Sequence, residues 1–105
     1  MSALSAEQIS RYRDEGCLVV ENAVDGALLD RLKRDFDGWV EESRAHERAY
    51  GETVDGRPRF DLEPGHTAER PALRRVNAPT EVSEAFRIAM ADSRTTDMVA
   101  ELVGP

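Results

Sequence analysis

The densest chemistry in this chain lies in Asp61, Glu63 and His66, spaced D-x-E-x-x-H. Two carboxylates and an imidazole are a donor set for a divalent ion, and a turn at Pro64-Gly65 would have to fold them around it. The spacing fits no regular element that would aim all three at one point, so solvated loop side chains are the plainer reading. Arg74 and Arg75 are adjacent on a predicted strand and therefore point to opposite faces. One of them could meet an anionic substrate, but a surface ion pair with Glu69 or Glu81 is preferred, and such a pair contributes little. Cys17 is the only cysteine and sits in an apolar run. A nucleophilic role needs exposure and a neighbouring cation, neither evident here, so a buried structural thiol in a reducing compartment is expected. Trp39 and Phe36 fall on a helical apolar stripe, which reads as core rather than cofactor contact.

The elements that must position these residues begin with a capped helix over about Ala6 to Glu15. Ser5 and Gln8 have the spacing of a capping box, Ile9 and Tyr12 follow Leu4 on one face, and Gly16 ends the helix. Cys17 to Glu21 then reads as a short buried strand. Asp25 caps a long helix carrying Leu28, Leu29, Leu32, Phe36, Trp39 and Val40 on one face. Full burial of those six would contribute roughly 9–18 kcal/mol gross. Gly38 interrupts the stripe and marks a bend or close packing.

Apolar periodicity then fades from Arg44 to Ala72, where glycines and prolines punctuate a polar connection. Within it, Arg59-Phe60-Asp61-Leu62 predicts an edge strand after a turn at Asp55-Gly56. Connections of this length in a compact domain tend to be functional loops. Leu73 to Val76 predicts another strand. Thr80 is the expected cap of a helix burying Val82, Ala85, Phe86, Ala89 and Met90. Ser93 is the expected cap of a last helix burying Met98, Val99, Leu102 and Val103, closed by Gly104-Pro105.

The 105 residues amount to about one domain, with 40% hydrophobic and 33% charged side chains and a formal charge of −7. A mixed acidic surface argues against nucleic acid or an anionic membrane as main partner. No apolar run approaches the roughly 20 residues of a membrane helix. The N-terminus shows no signal-peptide pattern, so a cytoplasmic location is expected. Thirteen of the 14 basic residues are Arg, as in a GC-rich bacterial coding sequence.

Taken together, two blocks resemble the N-terminal part of the phytanoyl-CoA dioxygenase-like family of iron(II)- and 2-oxoglutarate-dependent oxygenases. The first runs from Leu4-Ser5-Ala6-Glu7-Gln8-Ile9 through Tyr12 and Gly16-Cys17-Leu18-Val19-Val20 to the helix start at Asp25 to Leu32. The second, more specific block is Leu73-Arg74-Arg75-Val76-Asn77-Ala78-Pro79-Thr80-Glu81-Val82-Ser83-Glu84-Ala85-Phe86. Cys17 departs from the aromatic residue common after that glycine.

The resemblance implies an α+β fold: the helix-rich N-terminal portion of a double-stranded β-helix (jelly-roll) oxygenase, with four helices and two or three short strands. It places the barrel strands, and the H-x-D/E pair and distant His that hold iron on one octahedral face, beyond Pro105. Here His46 is followed by Glu47-Arg48 and His66 by Thr67-Ala68, so neither begins that motif. The chain is thus expected to be part of a single domain, with no catalytic, cofactor-binding or metal residue of its own. Iron(II) and 2-oxoglutarate are expected in the full-length parent, which would hydroxylate a small organic or acyl substrate. The Arg44–Ala72 stretch would be a lid, and the segment alone would self-associate through exposed apolar faces. The alternative is a free-standing acidic helical module that binds another protein without catalysis.

Overall fold

A computed structural model describes residues 3–104. The described residues form a mixed α+β structure in which helices flank a three-stranded antiparallel sheet. Helix α1 spans Ala6–Glu15. Its capping box closes as the sequence predicts: Ser5 Oγ accepts from the Gln8 amide at 3.1 Å, and Gln8 Oε1 accepts from the Ser5 amide at 2.8 Å. Gly16 ends the helix at φ 79°, in the left-handed region that glycine enters without a Cβ penalty. Leu4, just before the cap, is buried, and the Glu101 carboxylate accepts from the Ala3 and Leu4 amides at 2.8 and 3.1 Å. That pair of bonds ties the start of α1 to the far end of the chain.

The expected strand over Cys17 to Glu21 does not form. Strand order in the sheet leaves it no partner, and an unpaired strand has no ladder to satisfy its amides. Val19 is accordingly 88% exposed, and Cys17 is an exposed free thiol rather than a core one.

Helix α2, Gly26–Ser43, starts on Asp25, whose carboxylate accepts from the Leu28 amide at 2.8 Å. Of the six residues on its apolar stripe only Leu28 is buried, and Phe36 remains 46% exposed. The stripe has the right period but too little opposite it, so most of its gross burial energy is not realised in these residues. Gly38 has nothing within 4 Å of where a Cβ would stand, so close packing does not account for it.

The Arg44–Ala72 stretch holds most of the sheet. Strand β1 (Tyr50–Glu52) pairs with β2 (Pro58–Leu62), and β2 with β3 (Leu73–Val76), in the order β1-β2-β3. The Arg59–Leu62 segment is therefore the central strand, not an edge. Its Pro58 is tolerated because it stands first in the strand. The hairpin register puts Tyr50 opposite Phe60, and β3 puts Val76 opposite the other side of Phe60. The turn falls where predicted, with Gly56 at φ 85° and its amide on the Thr53 carbonyl at 3.0 Å.

After β3 the chain makes a single 3-10 turn at Pro79–Glu81, and only then begins α3, Glu84–Ala91. The cap is Ser83, not Thr80. Ser83 Oγ accepts from the Phe86 amide at 3.1 Å while its hydroxyl donates to the Asp35 carboxylate of α2. A cap that also bonds to a second helix outcompetes one that serves its own turn alone. Helix α4, Arg94–Val103, starts on Ser93 as expected and buries Met98. Met90 of α3, and Val99 and Val103 of α4, are exposed instead of inward. The Gly104 amide closes α4 on the Ala100 carbonyl at 2.8 Å; the closing role expected of Pro105 lies outside the described residues.

Candidate functional site

The packing centre is a column of rings assembled from five elements. Trp39 of α2 lies between Phe86 of α3, at 5.4 Å between centroids, and Phe60 of β2, at 6.1 Å. Phe60 stacks on its cross-strand neighbour Tyr50 at 4.7 Å, and Tyr50 stacks nearly parallel on His46 at 3.5 Å. Each ring enters through local order. The helical stripe aims Trp39 at the sheet, the hairpin register sets Tyr50 against Phe60, and the turn after α2 swings His46 over Tyr50. The Tyr50 hydroxyl is buried with no hydrogen-bond partner among the described residues. Burial first, then the charge of the Glu42 carboxylate and its proximity as an acceptor, push this phenol up to about 12.

At the His46 end of the column a surface cleft of about 500 Å³ opens between Arg44–Glu47 and His66–Glu69. His66 pins one wall to the other. Its Nδ1 accepts from the Ala72 amide at 2.8 Å, and its Nε2 lies 3.0 Å from the Ser43 carbonyl and 3.1 Å from that of His46. Arg44 adds a second strut through Nη1 to the Ala68 carbonyl at 2.5 Å. A second cleft, about 300 Å³, lies where the start of α2 meets the α3–α4 junction, with Leu28, Arg31, Ile88 and Arg94 among its walls.

On the opposite side of β2, Arg59 is buried at 6% exposure and its guanidinium is fully engaged. It donates to the carbonyls of Asn77, Ala78 and Glu52 at 3.0, 2.7 and 3.2 Å and to Glu81 at 2.7 Å. The Ala78 backbone sits at φ 47°, an uncommon region for a residue with a Cβ, and Arg59 holds its carbonyl there. The Val54 amide and then Arg59 hold the Glu81 carboxyl below the usual range.

These partners redistribute the residues singled out in the sequence. Asp61, Glu63 and His66 do not converge. Asp61 binds Arg75 at 2.5 Å and accepts from Asn77, whereas His66 spends both ring nitrogens on backbone groups. Arg75, and secondarily Asn77, hold the Asp61 carboxyl below its ordinary value. The partner of Arg75 is thus Asp61 across the sheet, not Glu69 or Glu81, because β2 and β3 register these two residues directly opposite. Glu81 instead serves Arg59, a buried cation that alternation within an apparent edge strand did not reveal.

No group of three or more His, Cys, Asp or Glu side chains among the described residues is placed to hold a metal ion. Both ring nitrogens of His66 are engaged by main-chain groups, which leaves this imidazole no free lone pair for a metal ion in this arrangement. No known family, curated protein or solved structure matches the chain.

Proposed function

We propose that this chain is a scaffold segment of an iron(II)/2-oxoglutarate oxygenase of the phytanoyl-CoA dioxygenase-like type, with the chemistry supplied by residues outside it. The observation that carries this reading is unmet burial. The chain exposes 7,583 Å², whereas a compact monomer of its mass exposes about 5,900 Å². Its radius of gyration is 17.4 Å, against about 13 Å for a compact domain of this length. Exposed Phe36, Met90, Val99 and Val103 lie on faces with helical period, as they would if a further layer covered them.

On this reading the Cys17–Val20 run becomes a strand when a sheet edge is supplied, and the cleft beside His46 and His66 faces the missing portion. The parent acts on a small organic or acyl substrate in the cytoplasm, with no nucleic acid or membrane partner. Among the described residues no helix is long and apolar enough to cross a membrane.

The coding sequence downstream of Pro105 tests the proposal. A continuing frame with H-x-D/E and a distant His, followed by iron-dependent decarboxylation of 2-oxoglutarate by the complete protein, supports it. A frame without them overturns it. The second reading, an acidic helical module that binds a protein partner, draws on the same capped helices and exposed stripes. It requires the chain alone to melt in one sharp transition without binding a hydrophobic dye. The scaffold reading requires dye binding, self-association or weak cooperativity.

A further inference from the structure

The bonding of His66 assigns it a role that neither the metal reading nor the lid reading contains. We infer that His66 is an acid-released latch, holding the segment between β2 and β3 against the end of α2 and so setting the width of the cleft beside His46.

The bonds to the ring fix which of its atoms carries the proton. Ala72 N–H points at Nδ1 from 2.8 Å, so Nδ1 presents a lone pair and the imidazole proton sits on Nε2. From there it is shared between the carbonyls of Ser43 and His46. Every polar position of the ring is used, and each partner is main chain, so the latch needs no particular neighbouring side chain. A second proton can go only to Nδ1, where it would face the Ala72 N–H with two donors opposed. The ring cannot be cationic and keep that bond.

Breaking the bond frees one end of the segment. The Ala72 carbonyl accepts from Glu63 N–H at 2.8 Å, and the Glu63 carbonyl accepts from His66 N–H at 3.0 Å, so Ala72, Glu63 and His66 form one closed circuit of bonds. The Arg44 bond to the Ala68 carbonyl is independent of the imidazole and keeps the middle of the segment anchored. Acid therefore swings the Glu63–Ala72 segment about Ala68 instead of detaching it. The titratable and charged groups that line the cleft with His66 are Arg44 at the end of α2, His46 and Glu47 in the following turn, and Glu69 on the segment itself. The His46 ring stacks on Tyr50, and the His66 contact is to the His46 carbonyl, which carries no proton.

The test is nuclear magnetic resonance on the intact chain between pH 8 and 5, reading the His66 tautomer and the exchange protection of the Ala72 amide, corrected for intrinsic rates. The expected result is an Nε2–H tautomer at pH 8. Ala72 protection should then fall with pH, by up to about tenfold per unit for a single linked proton. His66→Asn retains a non-titrating acceptor towards Ala72 and should hold protection level, while His46→Gln should leave the fall in place. An Nδ1–H tautomer at pH 8, level protection in the wild type, or an undiminished fall in His66→Asn would each overturn the latch. Should His66→Asn fail to fold, the wild-type tautomer and its protection profile decide the matter.

Discussion

Gly51 and Tyr50 are adjacent on β1 and show opposite sensitivities to a change of one or two atoms. Gly51 has φ 71°, and a Cβ built there would stand 2.8 Å from the Cβ of Arg59. Arg59 cannot retreat, because its guanidinium is held at four points on the far side of the sheet. Gly51→Ala should therefore cost about 2–3 kcal/mol, from left-handed strain and overpacking together, read as a lower urea midpoint. Tyr50 carries a buried hydroxyl that bonds to nothing among the described residues. Tyr50→Phe should be neutral or stabilising by up to about 1 kcal/mol, since it removes an unpaired polar group and keeps the stacked ring. The wild type should show a phenolate absorbance step near pH 12, and the same variant should abolish it. The folded value lies above that of a free phenol, about 10, so this group's contribution is intact below pH 10 and lost as the pH rises towards 12. A destabilised Tyr50→Phe would mean that the hydroxyl donates to the Glu42 carboxylate.

At the scale of elements, caps decide where helices start, and two candidate caps three residues apart separate local from tertiary control. Thr80 and Ser83 are both good N-cap types preceding an apolar run. Ser83 is the cap of α3 because its hydroxyl also reaches Asp35 of α2, a contact 48 residues away in sequence. Ser83→Ala should cost about 1–2 kcal/mol, the upper part of the range for a cap, and Thr80→Ala only a few tenths. Equal losses in thermal or urea melts would show that the two helices do not share this bond. The strands teach a similar lesson. Leu73–Val76 and Arg59–Leu62 were legible from composition and turn signals. Tyr50–Glu52 was not, since three residues containing a glycine carry no period of their own. Conversely, Cys17 to Val20 has strand composition and no strand, because pairing depends on a neighbour that the local sequence does not specify.

The molecule is elongated, 50 by 27 by 26 Å, and among the described residues only five hydrophobic side chains are buried. Polar contacts consequently carry much of what joins its parts: Glu101 on the first amides, Arg59 and Glu81 behind the sheet, Asp61 with Arg75 across it. Such a structure should be sensitive to acid. Asp55, bound first by the Thr53 hydroxyl and then by Arg57, joins Asp61 and Glu81 in having a folded value below the unfolded one. Between the two values the unfolded chain binds more protons, so stability rises with pH there. The contribution of these groups is complete above the unfolded values, about 3.9 for Asp and 4.3 for Glu, and is lost as the pH falls through the folded ones. Urea midpoints should drop steeply below about pH 4.5, and Asp61→Asn should flatten that drop. An unchanged profile in Asp61→Asn would remove the Arg75 pair from the account.

The sequence by itself determined the two capped N-terminal helices, the Ser93 start of α4, the Asp55-Gly56 turn and the two longer strands. Each depends on residues within a few positions of one another, where capping and turn chemistry act. Tertiary structure alone decided that β2 is central, that Arg59 is buried, that Arg75 meets Asp61, and that His66 spends its ring on three backbone groups. Those outcomes turn on which distant segments become neighbours: 14 residues separate Asp61 from Arg75, 22 separate Arg59 from Glu81, and 23 separate Ser43 from His66. Periodicity records which face of a segment is apolar; only packing determines what, if anything, lies against it.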